Sequence, residues 1–192
     1  MVPRFFRPQT VYYLPSGDFF VRGEKLVNYN IETIYLHLDS IESDEFPEVD
    51  YEFYSYFSKK YGYAENYDEN VPECITVFMI LEDWYSCWFR GGSWTFYEYY
   101  AGKKALKITL NFLRKFADKE MADIFESGIH EYDNPKYEKD SNYPKEWLDE
   151  AEQIDIWIEN RESEIFRFLE KILIDNKKTI CGKNNKSFMD SI

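Results

Sequence analysis

Carboxylates are the residues of this chain whose types and spacing come closest to chemistry. Glu82 adjoins Asp83, Asp149 precedes Glu152 by three residues, and Asp155 precedes Glu159 by four. Spacings of three and four place side chains on one helix face. Two carboxyl groups so placed can divide general acid and general base work, one donating a proton while the other accepts it. With 36 acidic residues against 23 basic ones, however, such pairs arise from composition alone. Glu82 has the most particular setting, because it interrupts a broad apolar stripe. A carboxylate there needs a partner such as Tyr97, Arg90 or Arg114, so a structural hydrogen bond is its expected role.

The other reactive types form no constellation. His37 and His130 stand in different segments, and neither has a second histidine or a cysteine at ligand spacing. Cys74, Cys87 and Cys181 are odd in number and lack CxxC pairing, which with the absence of an apolar leader favours a reducing cytoplasm. Ser86 and Cys87 have no histidine nearby in sequence. Gly91-Gly92 lacks the wider glycine pattern and the lysine of a phosphate loop. No catalytic, cofactor or metal residue is assigned, and a non-enzymatic protein is expected.

The elements that must position these groups centre on Val71 to Tyr100. Ile75, Phe78, Met79, Val77, Leu81, Trp84, Tyr85, Trp88 and Phe89 nearly encircle a helix, which predicts burial between other helices. The helix is expected to start at Asn70 or Val71, with Pro72 in its first turn. Gly91 or Gly92 can close it in the left-handed conformation, and the Ser93 hydroxyl can cap the next helix. Trp94, Phe96 and Tyr97 then pack back, so Gly91, Gly92, Trp94, Phe96 and Tyr97 read as a fold-determining turn.

Before this stretch, residues 1–27 read as an amino-terminal arm, extended or in two short strands around Val11–Leu14 and Phe19–Val21. Asn30 caps a short helix. An acidic link precedes Pro47, expected in the first turn of a helix that Gly62 ends. After it come a basic helix over 103–117, a helix capped by Asp118 and stopped by Gly128, and a long loop to Pro144. A penultimate helix breaks near Asn160 before a last one. Residues 28–176 form a single helical domain in this reading, and 177–192 a flexible tail. The expected fold is all-α: a compact multi-helix bundle.

A length of 192 residues suits one core. At 44% hydrophobic and 20% aromatic the chain must fold, and no apolar run reaches membrane-spanning length. A formal net charge of -13 argues against nucleic acid and anionic membrane surfaces as direct partners, and for a basic protein. The acidic residues are spread over several helices. Glu48, Asp50, Glu52, Asp123, Glu126, Glu146, Asp149, Glu150, Glu152, Asp155 and Glu159 make up the candidate partner-binding surface. Carboxylates on rigid helices can present negative points at separations comparable with duplex phosphates.

The run Leu81–Gly102, LEDWYSCWFRGGSWTFYEYYAG, followed by an Ala-Leu helix and the segment DKEMADIF from Asp118, resembles the DUF4375 family. Gly91 and Gly92 match that family's glycine pair, and Phe96, Tyr97 and Tyr100 its following aromatics. Arg90 departs from it, where the family favours Asn, and so does Trp94. The resemblance spans about Val71 to Leu173 and leaves residues 1–70 outside. It implies an all-helical globular protein for which a homodimer is an open expectation. For a characterised member it also implies acidic mimicry of double-stranded DNA toward a transcriptional regulator. Three readings stand: a DNA-mimicking binding protein, an immunity protein neutralising a basic toxin, and an enzyme with an unrecognised carboxylate site.

Overall fold

The computed structural model describes Tyr12–Tyr13, Phe19–Phe20 and residues 30–63, 70–137 and 143–181. Among them, eight α-helices and one 3-10 turn make the all-α fold that the apolar periodicity predicts. Tyr12–Tyr13 (β1) and Phe19–Phe20 (β2) pair antiparallel, Tyr12 opposite Phe20, so the arm takes its short-strand form there. The rest of residues 1–27 lies outside the described residues, as do residues 64–69.

Helix α1 (Ile31–Leu38) starts at Asn30, whose side chain accepts from the Glu32 N–H at 3.2 Å, and buries Ile31, Ile34, Tyr35 and Leu38. The expected acidic link is instead a 3-10 turn, Ser43–Glu48, stabilised by a reciprocal capping box between Glu42 and Glu45. Pro47 therefore sits inside that turn and not in the first turn of α2 (Asp50–Tyr61). Gly62, at φ 80°, ends α2.

Helix α3 (Glu73–Gly91) is the axis of the molecule: every residue from Cys74 to Glu82 is buried. It begins later than expected because Pro72 keeps an extended ψ of 135° and serves as the flanking residue outside the helix. Around α3 pack α4 (Ser93–Tyr100), α5 (Lys104–Phe116) and α7 (Lys145–Asp175), with α6 (Lys119–Ser127) against α5 and α7. Trp84 of α3 joins these layers, edge-on to Phe125 of α6 at 5.3 Å and tilted against Trp157 of α7 at 6.1 Å. Asp118 caps α6 by accepting from the Met121 N–H at 2.8 Å. Gly128, which ends α6, lies directly against the Tyr97 ring, so that a Cβ there would collide with it. Tyr97 fixes the same corner by donating to the Phe125 carbonyl at 3.0 Å.

The break expected near Asn160 falls at Arg161, whose φ of -125° and ψ of 18° kink α7 between two helical halves. The tail expected to be flexible from residue 177 opens instead with helix α8 (Lys177–Cys181). Its anchor is Ile180, 2% exposed, which the polar composition around it disguises. Lys177 adds an ion pair to Asp39 at 2.8 Å, and residues 182–192 lie outside the described set.

Candidate binding surface

The first half of α7 turns Ala151, Ile154, Trp157 and Ile158 inward. With about 100° between successive residues, Asp149, Glu152, Ile156 and Glu159 fall on the opposite side and Glu146 on the flank, about 120° round from Glu152, and all five are exposed. Glu146, Glu152 and Glu159 have no ion-pair or hydrogen-bond partner among the described residues, whereas Asp149 faces Lys145 at 3.5 Å. Glu152 and Glu159 share one line of the helix, seven residues or roughly 10 Å of rise apart at 1.5 Å each.

The remaining candidates divide by what they touch. Glu48 and Asp123 are exposed. Glu126 is exposed but pairs with Arg114 of α5, an internal use of the basic helix. Glu52 is half-buried, 3.2 Å from the His37 imidazole. Glu150 lies 2.6 Å from His130, whose ring stacks flat on Trp147 with 4.6 Å between centroids. Asp50 is no surface residue: it is 2% exposed at the start of α2, where the first-turn N–H groups favour a carboxylate.

Asp155 is also diverted inward. Ser93 does not cap α4 with its hydroxyl, which instead donates to the Ala151 carbonyl at 3.0 Å. Asp155 takes over the cap from across the interface, its Oδ1 accepting from the Ser93 N–H at 2.8 Å. Gly92, rather than Gly91, carries the left-handed conformation, at φ 95°. A Cβ at Gly92 would lie 3.1 Å from Asp155 Oδ2 and 3.2 Å from Trp94, so the turn needs glycine for space as well as for conformation. Phe96 and Tyr97 are buried as expected, and Trp94 is half-buried.

Asp155→Ala should therefore destabilise the fold by about 0.5–2 kcal/mol, as loss of a helix cap does. Asp155→Asn should retain most of that stability, because the amide oxygen still accepts. Urea unfolding of both variants checks this, and equal losses would remove the cap assignment.

Three carboxylates that sequence reasoning left unassigned are structural joints. Asp83 accepts from Tyr54 at 2.8 Å and from Tyr100, tying α2, α3 and α4 together. Glu162 accepts from Tyr85, and Glu120 accepts from the Trp157 indole at 3.0 Å and from Arg161 at the kink. Tyrosines one or two turns apart in an acidic chain are the only sequence signal for such bonds, and it carries no address. Glu82 is buried, but Tyr97 donates to Phe125 and Arg114 pairs with Glu126 instead. Burial pushes the Cys87 thiol up to about 11, assisted by the Asp83 charge, which keeps it a poor nucleophile at neutral pH. All three cysteines are free thiols.

Burial also raises the Tyr35, Tyr54 and Tyr97 phenols well above their ordinary value, and the neighbouring Asp83 charge adds to the effect at Tyr54. A folded pKa above the unfolded value of about 10 makes each contribution complete below that pH and lost as pH rises past it. Alkaline titration should thus show a group of phenols whose ionisation coincides with loss of helix. Full phenolate absorbance with the helical signal intact would contradict it.

Among the described residues no three His, Cys, Asp or Glu side chains are grouped to hold a metal ion, and no helix is long and apolar enough to cross a membrane. Comparison with protein-family models, curated proteins and solved structures finds no match for the chain.

Proposed function

We propose that this protein is a non-enzymatic binding module that occupies a basic protein surface with the acidic outer face of α7. The observation that carries this reading is the line Glu152 and Glu159, with Glu146 on its flank, all three exposed and without partners among the described residues on a helix whose other side is locked into the core. Carboxylates with internal partners have already spent their field locally, whereas unpartnered ones on a rigid element remain available to an incoming cation. The net charge of -13 extends the attraction beyond the contact and disfavours phosphate polyanions as ligands.

A DNA-binding regulator or nuclease is the partner class that fits, since its groove is built to receive a rigid row of negative charges. The resemblance of Leu81–Gly102 to the DUF4375 family supports the same direction and adds the homodimer as a form to be tested. The cytoplasm is where such a partner and three free thiols would meet.

The test is a salt titration of the complex with a basic DNA-binding protein recovered from the native host, together with competition by duplex DNA. Affinity should fall steeply with ionic strength, and DNA should displace the acidic protein. Salt-independent binding, or a ternary complex with DNA, would reject this mechanism.

A further inference from the structure

Phe89 is 73% exposed, the most exposed of the large hydrophobic side chains among the described residues. Its position follows from two contacts on either side of it. Tyr85 donates to Glu162, and the Ser93 N–H donates to Asp155. Residues ascending α3 thus meet residues descending α7, and Phe89, one turn past Tyr85 and one turn before Ser93, is level with Glu159. On α7, Glu152 and Glu159 are seven residues apart and fall within about 20° of one line. Asp155 lies on the α3 side of that line and Ile156, 46% exposed, on the other. Two exposed apolar side chains, Phe89 on α3 and Ile156 on α7, therefore lie at the level of the Glu152–Glu159 line. Behind Phe89, the half-buried Trp88 ring lies 6.2 Å away and fixes the wall of the patch.

Large apolar side chains left in water beside unpaired charge mark an interaction surface more than a solvated face does. A lysine would satisfy the carboxylates but gain little from the flanks, because its strongly hydrated ammonium is a point charge. Arginine meets both features: its planar guanidinium forks onto carboxylates and stacks on an aromatic face, while its methylenes cover apolar surface. Arg90 is an exposed cation next to Phe89, while the chain as a whole carries 36 acidic residues against 23 basic ones. A second copy of this chain would bring the same acidic row toward itself, so charge complementarity selects a different, basic partner.

We propose that Phe89 and Ile156, at the level of Glu152 and Glu159, are the anchor of the docking surface and receive arginine side chains of the basic protein partner. The proposal rests on the reading of α7 as the docking face and assigns its centre and side-chain preference.

The experiment uses the full chain, labelled with nitrogen-15, and two helical peptides that differ only in carrying arginines or lysines at every fourth position. The Trp88 and Trp94 indole signals report the patch, and Trp147, on the far side of α7, serves as the control. Arginine peptide should shift the Trp88 and Trp94 signals and leave Trp147 in place. Lysine peptide should bind more weakly. Phe89→Ser and Ile156→Ser should each weaken arginine-peptide binding by roughly tenfold, the behaviour of a contact anchor, without altering the salt dependence. Both residues are exposed, so melting curves should match the parent.

Equal binding of the two peptides, or parental affinity in both serine variants, would overturn the anchor while salt-dependent binding left the docking face standing. Absence of salt-dependent binding to either peptide would overturn both. Sedimentation showing a dimer that Phe89→Ser dissociates would reassign the patch to self-association and likewise overturn the proposal.

Discussion

Trp84→Ala should lower the unfolding free energy by about 3–5 kcal/mol, the range for truncating a buried aromatic. Trp84 is completely buried and bears on α6 and α7 at once, through Phe125 and Trp157. Its removal opens a void where three helices meet, and helices tied down elsewhere by Asp155–Ser93 and Tyr97–Phe125 bonds cannot close it fully. For a chain of this length each kcal/mol corresponds to roughly 2–4 °C in Tm, so the loss should be plain in a thermal melt. Trp84→Phe should cost less, since an aromatic edge still meets Phe125. Phe89→Ala, five residues further along the same helix and on another face, should change stability by no more than about 0.5 kcal/mol, as surface substitutions do. A comparable loss at the two sites would mean that α3 is not oriented as described.

That contrast also shows how far the sequence carries. Helix periodicity is a local property, so the core-facing stripes, the Asn30 and Asp118 caps, the stop at Gly62 and the break beside Asn160 could all be read from spacing. A solitary apolar residue such as Ile180 has no period, and helix α8 was hidden for that reason. The acidic surface was legible only as composition. Which carboxylates remain free depends on partners brought from far along the chain: Asp155 is taken by a residue 62 positions away and Glu162 by one 77 positions away. Asp50 was misplaced because alternation of charge with aromatics at 48–54 looks like an exposed face, while the 3-10 turn before α2 rotates that aspartate inward. Phe89 was assigned to the apolar stripe of α3, and nothing in the spacing marks where α7 stops covering that stripe.

Reversing Glu146, Glu152 and Glu159 together to lysine should abolish docking to a basic partner, with affinity falling at least about a hundredfold, since like charges placed opposite each other cost several kcal/mol. The sites follow from the partners just described. Reversal at Glu150 or Asp155 would also break the contact with His130 or the cap on α4, so weakened binding there would not separate a lost charge from a shifted helix. Glu152 and Glu159 are exposed, without partners among the described residues, and inside α7, where lysine and glutamate have similar helix propensities. Glu146 lies in the first turn of α7, where a positive charge opposes the helix dipole at a cost of about 0.3–1 kcal/mol. A Glu152→Lys, Glu159→Lys double variant removes that small term and should retain most of the binding loss. Each reversal moves the charge of the protein by two units, so the salt dependence of any residual binding should flatten in proportion to the number of sites changed. Circular dichroism should be superimposable on the parent. Parental affinity with parental helicity would exclude the outer face of α7 as the contact, whatever the net charge of the chain contributes at long range.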